Sequence, residues 1–370
     1  MILKKLNLVN FRNYTKIEIK FCKNLNIFIG DNASGKTNIL ESIVILALTK
    51  SYRDNINMNL IKFNKNLAKV SGVIDNNKII NKISIEIDEK NKNMFINKTQ
   101  IRKAIDYLSY LNIIYFTPDD LNIVKGSPSI RRNLLNIQLS QISKSYLIAL
   151  TKYNKLLKTR NEYLKVMYGN GLADKKYLDI LTDKLIENAV ILYKKRKEYL
   201  EKVNLNINNY YYKLTNETKI LINYIPSINI INNDDDSIKK SLKYEFDKSF
   251  DRDLRYGTTN IGPHRDDFSI LLNDIDLGLF GSQGQQKMSI IAFKLSEIFI
   301  FKEYTNTTPI LLLDDIFSEL DIKKRNLLLK LISNENLQSI LTTTDIKNIN
   351  KKNLENTYIY QVKNGNIVGK

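Results

Sequence analysis

One loop restricts what this chain can fold into more than any other stretch. Gly30, Asp31, Asn32, Ala33, Ser34, Gly35, Lys36 and Thr37 spell G-x-x-x-x-G-K-[ST], the pattern of a phosphate-binding loop. Its glycines let successive backbone N–H groups turn toward one anion. Lys36 brings a positive charge beside the β- and γ-phosphates, and the Thr37 hydroxyl can hold Mg²⁺. Such a loop belongs between a strand and a helix. Upstream, Leu25, Ile27 and Ile29 alternate as in a buried strand, and downstream Ile39, Leu40, Ile43, Val44 and Ala47 recur at helical spacing. The anion therefore sits on a helix N-terminus, and Asn38, the next residue, joins the nucleotide-binding set.

Composition narrows the classes further. A chain of 370 residues with 43% hydrophobic content can bury a core in one large or two ordinary domains. Cys22 is the single cysteine and His264 the single histidine, which excludes a disulfide framework and makes a Cys- or His-based metal centre improbable. No apolar run approaches the ~18–20 residues that span a bilayer, and Met1, Ile2, Leu3, Lys4 and Lys5 do not open a signal peptide, so no membrane association and a cytoplasmic location are expected. The formal net charge of +18 suits a polyanionic partner. It equally suits a solvated surface in a composition crowded with Lys, Asn and Ile.

Along the chain, residues 1–120 read as α/β with an antiparallel component, and residues 257–370 return to the same character. Between them, residues 121–256 read as helical. Leu135, Leu139, Ile142, Tyr146, Leu150, Tyr153, Leu157 and Leu164 follow steps of three and four. After a break at Gly169, Asn170 and Gly171, so do Leu178, Leu181, Leu185, Ala189, Leu192 and Tyr199. The expectation is an antiparallel hairpin with arms of about 30 residues, roughly 45 Å each at 1.5 Å per residue. Residues 232–236 are polar enough for an exposed loop. Arg131, Arg132, Lys155, Lys158, Lys194, Lys195 and Arg196 are assigned to outer faces that could meet phosphates. Asn97, Lys98, Thr99 and Gln100 lack the final Asp of a guanine-reading N-K-x-D and are set aside.

Chemistry concentrates near the C-terminus. Four apolar residues, Ile310 to Leu313 in order, run into Asp314, the arrangement by which a buried strand delivers a carboxylate to the end of a sheet where the phosphate loop also lies. Asp314 should hold Mg²⁺ with Thr37. Asp315 should orient or deprotonate the attacking water, a general-base role. Ser282, Gln283, Gly284 and Gln285 open a helix and offer a second anion site. They resemble the L-S-G-G-Q signature of ABC-type ATPases, with Ser282, Gly284 and Gln285 matching and Gly281 and Gln283 departing. Ser318, Glu319, Leu320 and Asp321 resemble the D-loop of the same class.

Taken with Phe11-Arg12-Asn13-Tyr14, Thr117-Pro118-Asp119-Asp120-Leu121, Gly262-Pro263-His264-Arg265-Asp266-Asp267 and Leu313 through Asp321, these strings resemble the RecF family of bacterial DNA replication and repair proteins from end to end. The resemblance implies an ABC-type P-loop ATPase lobe with a mixed sheet, like the heads of SMC and Rad50 proteins, plus an α-helical second lobe. It implies ATP and Mg²⁺ as cofactors, DNA near single-strand/double-strand junctions as ligand, an ATP-dependent homodimer, and RecO and RecR as partners in loading RecA. Two phosphate loops and two signatures would sandwich two ATP molecules, with slow hydrolysis. By the same resemblance Arg12 and Arg53 lie near the nucleotide or the DNA. Lys36 and Asp315 are then catalytic, Thr37 and Asp314 hold the metal, and residues 30–38 with Arg12, Ser282, Gly284 and Gln285 contact nucleotide. Departures exist. Asp119 follows Pro118 where SMC-like relatives have a glutamine, Thr344 or a neighbouring threonine stands for the switch histidine, and Asn136 replaces the usual Asp. His264 reads either as an acid–base group or as a hydrogen-bonded histidine in a linker, and Arg265 as a link between lobes. The alternative function is the nucleotide-binding subunit of an ABC transporter; a small-molecule kinase would need no such signature.

Overall fold

The computed structural model describes residues 1–170, 174–230, 232, 234–346, 349, 350, 354 and 356–368. The chain divides into two compact units, residues 1–120 with 294–370, and residues 121–293.

The first stretch supplies β1 (Ile2–Phe11), β2 (Tyr14–Lys20), β3 (Leu25–Ile29), α1 (Lys36–Leu48), the short α2 (Asn57–Leu60), β4 (Ala68–Asn76), β5 (Ile79–Ile87), β6 (Lys92–Ile96), β7 (Thr99–Ile101) and β8 (Ile113–Phe116). The second unit begins with α3 (Leu121–Lys125), α4 (Pro128–Ile142), α5 (Lys144–Asn170), α6 (Lys175–Thr215), β9 (Ile220–Ile225) and α7 (Asp235–Tyr256). It continues with β10 (Asp267–Leu272), β11 (Ile275–Asp276), α8 (Leu277–Phe280) and α9 (Gln283–Thr305), which gives residues to both units. The chain closes the first unit with β12 (Ile310–Asp314), α10 (Ile322–Asn334), β13 (Ser339–Thr343), β14 (Tyr358–Lys363) and β15 (Asn366–Val368).

Two six-stranded sheets build the nucleotide lobe. One is antiparallel, in the order β2-β1-β4-β5-β6-β7; the other is mixed, β15-β14-β3-β13-β12-β8, with only β15 antiparallel. Helix α1 touches strands of both. It therefore buries Ile39, Leu40, Ile43, Val44, Ile45, Leu46 and Ala47 on all sides, not along one stripe. The strings 11–14 and 97–100 both prove to be tight hairpin turns, with Arg12 at φ +49° and Asn97 and Lys98 at φ +48° and +74°.

In the second unit the sequence expectation needs five corrections. The first arm of the hairpin is broken at Ser143, whose backbone is extended and whose hydroxyl accepts from Tyr146 N–H at 3.2 Å, so two helices replace one. Apolar spacing continues across the break and hides it. The second arm, α6, has 41 residues, roughly 60 Å at 1.5 Å per residue; Gly171, in the connection, lies outside the described residues. The polar stretch 232–236 is largely a helix start: Asp234 caps α7 by accepting from Ser237 N–H at 2.8 Å, and Asp235 and Asp236 occupy its first turn, where acids favour the dipole. Asn233 lies outside the described residues.

The unit is also not all helix. Strand β9 pairs with β10, and its other edge is covered by side chains of α6: Asn204 bonds both N–H and C=O of Ile222, and Asn208 both groups of Ile220, all at 2.8–2.9 Å. Two asparagine amides thus stand in for a neighbouring strand.

Two arginines assigned to outer faces are not there. Arg196 is 1% exposed and bonds Asp266 and the Pro263 carbonyl, while Arg131 makes a bidentate pair with Asp267 at 2.6 and 2.8 Å. Burying their long stems leaves the charges bound to carboxylates. The string 262–267 is thus a hub of this unit. His264 accepts from the Tyr153 hydroxyl at Nδ1 (2.7 Å) and donates from Nε2 to the Thr259 carbonyl (2.9 Å), because a carbonyl can only accept. Burial holds its imidazole at about 4, so the ring is neutral and both nitrogens are engaged. Arg265 reaches the same Thr259 carbonyl. Among the described residues no helix is long and apolar enough to cross a membrane.

Candidate nucleotide site

Strand β3 ends at Ile29, the loop turns through residues 30–35, and α1 begins at Lys36. Two glycines are dictated by space. A Cβ on Gly30 would lie 2.3 Å from the Val362 carbonyl, and one on Gly35, at φ +113°, would lie 2.6 Å from Asn13 Nδ2 and 2.8 Å from the Tyr14 hydroxyl. Val362 belongs to β14, and Asn13 and Tyr14 to the turn of the β1–β2 hairpin. Tyr14, buried, donates to the Gly35 carbonyl at 3.0 Å; Asn13 donates to the Ser34 carbonyl at 3.3 Å and accepts from Asn38 Nδ2 at 2.9 Å. Gly365 N–H adds a bond to the Ser34 carbonyl at 3.1 Å. The hairpin therefore buttresses the loop from behind.

On the open side, the loop has the groups a triphosphate needs. The N–H groups of Lys36 and Thr37 lie ahead of the first helical bonds, which begin where Asn38 N–H donates to the Gly35 carbonyl at 3.0 Å. The Ser34 hydroxyl oxygen is buried without a hydrogen-bond partner. Lys36 folds its ammonium onto the Gly30 and Asp31 carbonyls at 2.7 and 2.8 Å, and burial lowers its pKa against the opposing pull of Asp315, Asp314 and Asp31. A phosphate would offer this ammonium full charges in place of two carbonyl dipoles.

Sheet order brings the second half of the chemistry alongside. Strand β13 lies between β3 and β12, so the parallel carboxyl ends of all three meet. Asp314, 4% exposed, accepts at one oxygen from Thr37 (3.0 Å) and Thr342 (2.7 Å), and at the other from Tyr52 (3.1 Å). The carboxylate raises the Tyr52 pKa in addition to the larger effect of burial. Among the described residues no group of three or more His, Cys, Asp or Glu is placed to hold a metal ion. A hydroxyl and one carboxylate in contact still fit Mg²⁺, which is held by one or two carboxylates together with substrate phosphates and waters. Asp315 follows at φ +47°, its N–H donating to Thr342 Oγ1 at 3.0 Å.

Residues 30–38, Asp314 and Asp315 thus come together. Arg12 stands beside them, forming a bidentate pair with Glu41 of α1 at 2.9 and 2.6 Å. Arg53 bonds Asn38 Oδ1 at 3.0 Å and reaches Glu41 at 3.4 Å. Asp119 is exposed, whereas Asp120 is paired with buried Lys294. Thr344 is exposed just past β13.

Ser282, Gly284 and Gln285 belong to the second unit. Ser282 Oγ accepts from Gln285 N–H at 3.2 Å while Gln285 Oε1 accepts from Ser282 N–H at 3.0 Å, a reciprocal capping box at the start of α9. A Cβ on exposed Gly284 would meet nothing closer than Ser282 Oγ at 4.0 Å. The chain's own packing does not require that glycine.

Tyr14, Tyr52, Glu41 and Thr342 were not assigned roles from sequence. Their partners lie up to hundreds of positions away, and only the adjacency of Tyr52 and Arg53 to the loop's helix hinted at them.

The RecF/RecN/SMC N-terminal domain family matches residues 2–368. The chain is 39% identical to the DNA replication and repair protein RecF of Streptococcus gordonii over 99% of its length and 100% of that relative. The chain belongs to the RecF family. The RecF of Halalkalibacterium halodurans is 37% identical, with 99% of each chain covered. Among solved structures, the recombination mediator protein RecF-ATP in the RecFOR pathway superposes with a TM-score of 0.90 at 33% identity, covering 99% of this chain and 96% of that one. The Smc head domain of Pyrococcus furiosus superposes at 0.57 with 17% identity over 99% of this chain and 95% of that one, a likeness of fold alone. The nucleotide lobe is therefore an ABC-type ATPase fold of the RecF and SMC-head kind.

Proposed function

We propose that this protein is an ATP-dependent DNA-binding clamp of recombinational repair and replication restart, acting at single-strand/double-strand junctions with RecO- and RecR-type mediators to load RecA, in the cytoplasm. The observation that carries the reading is the Lys36–Thr37–Asp314 constellation within a chain that is RecF-like over its whole length. ATP would lie on the first-turn amides of α1, with Lys36 on its phosphates. Thr37 and Asp314 would hold Mg²⁺, which would supply charge neutralisation at the phosphates, and Asp315 would withdraw a proton from the attacking water. Exposed Ser282 and Gly284, with Gln285, would close the site of a second copy, so that nucleotide joins two subunits and its hydrolysis releases them. Hydrolysis serves as a slow switch. The alternative of a transporter subunit is not favoured, since the matches run the length of the chain and are to RecF proteins.

The test is sedimentation with ATP. Ser282→Arg is expected to abolish ATP-dependent dimers and leave monomeric ATP binding intact; normal dimers in this variant would refute the composite site. DNA affinity should fall with salt at a log–log slope of about −0.9 per phosphate contact and should depend on ATP. Affinity indifferent to ATP would refute the clamp.

A further inference from the structure

Phe63 is 88% exposed, more than any other large apolar side chain among the described residues. Its backbone is nevertheless held firmly. Lys62 N–H donates to the Asn10 carbonyl at 2.8 Å, Lys65 N–H to the Lys62 carbonyl at 3.0 Å, and Asn64 takes the left-handed conformation at φ +59°. The Lys62 ammonium donates to the Asn13 carbonyl and to Thr15 Oγ1, both at 2.8 Å. The ring is thus presented by a braced turn on the same β1–β2 hairpin that supports the phosphate loop through Asn13 and Tyr14. A turn already braced loses little backbone freedom when a partner covers the ring it carries.

The surroundings indicate what that partner is. From residue 55 to residue 69 the sequence has no carboxylate, and of the three lysines within seven residues of Phe63, Lys69 is paired with Glu86 at 2.8 Å, Lys62 bonds the hairpin, and Lys65 is exposed. Lysine is depleted in protein–protein interfaces. An aromatic face among cations is the arrangement on which bases of single-stranded nucleic acid stack while their phosphates are neutralised.

We propose that Phe63 is a stacking platform for an unpaired nucleobase at a junction between single- and double-stranded DNA, with exposed Lys65 neutralising an adjacent phosphate. This rests on the DNA-binding reading above and assigns the junction preference to one side chain of the nucleotide lobe.

The chain contains no tryptophan, so Phe63→Trp creates a single indole reporter. In the full-length protein with ATP, its emission is expected to be quenched by gapped DNA and not by a fully paired duplex of the same length. Phe63→Ala, measured by anisotropy of labelled DNA, is expected to bind gapped DNA about 5–10-fold more weakly, the low end of base–aromatic stacking, with duplex and ATP affinities unchanged. An unquenched indole on gapped DNA that anisotropy shows to be bound, or an unchanged affinity of Phe63→Ala, overturns the platform and leaves the DNA reading standing. Loss of ATP-dependent self-association in Phe63→Ala with DNA affinity intact overturns it in favour of a protein interface. A wild-type chain that binds neither DNA overturns the DNA reading and the platform with it.

Discussion

Arg12→Ala separates a structural role from a ligand-binding one. Glu41 has no exposed side-chain surface and accepts from Arg12 Nε at 2.9 Å, Arg12 Nη2 at 2.6 Å, Ser51 Oγ at 2.6 Å and Arg53 Nη1 at 3.4 Å. Removing one partner of a buried ion pair costs about 3–5 kcal/mol because the other charge is left in a low-dielectric interior. Here Ser51 and Arg53 remain, and Arg12 itself is 18% exposed, so the expected loss is about 2–3 kcal/mol. For a unit of roughly 200 residues that corresponds to a melting temperature lower by about 5–10 °C. Nucleotide-free thermal unfolding followed by circular dichroism reads it directly. Arg12→Leu combined with Glu41→Leu should lie above Arg12→Ala, since an apolar pair of similar volume is about neutral relative to a buried ion pair. If Arg12→Ala melted within a degree of wild type and instead lost ATP affinity, the guanidinium would be a nucleotide ligand and the reasoning from Glu41 would be wrong.

Gly35→Ala should weaken binding of a fluorescent ATP analogue at least about 10-fold, because the new methyl collides with Asn13 and Tyr14 at a backbone conformation of φ +113° that carries about 1–3 kcal/mol of strain for other residues; unchanged affinity would remove the hairpin from its buttressing role. Asp315→Asn should bind ATP normally and slow phosphate release by about 100-fold or more, the range of a lost general base, and rapid turnover would dismiss Asp315 from that step. His264 titrates at about 4 in the folded protein against 6.5 for the free side chain. Between those values the unfolded chain holds the extra proton, so acidification from pH 7 to 4 removes up to roughly 3 kcal/mol. Thermal unfolding of His264→Gln across this range should lack that part of the slope, and identical slopes in both proteins would contradict it.

Much of the nucleotide site was legible because its signals are local. Residues 30–37 and the apolar run into Asp314 each encode a strand end and the group it presents, and helical and strand periods flank them. The helical unit was read less well for the same reason. Periodicity passes straight through Ser143, and the acids at 234–236 look alike in a loop and at a helix cap. Nothing in residues 220–225 announces that asparagines of α6 will supply the missing strand edge. Arg131 and Arg196 read as surface charge because their carboxylate partners are Asp267 and Asp266, 136 and 70 positions away.

What the amino-acid order determined alone was the chemistry available: a loop able to cradle phosphates, a hydroxyl and a carboxylate for a cation, a second carboxylate for water, and a capped helix start at Ser282. Tertiary structure decided which of these groups meet. The order β3-β13-β12 sets Thr37, Thr342 and Asp314 in contact, and packing of the β1–β2 turn against Gly35 directs Arg12 to Glu41. Contacts of that kind depend on sheet order and burial, which pair residues across hundreds of positions and leave no period in the sequence to betray them.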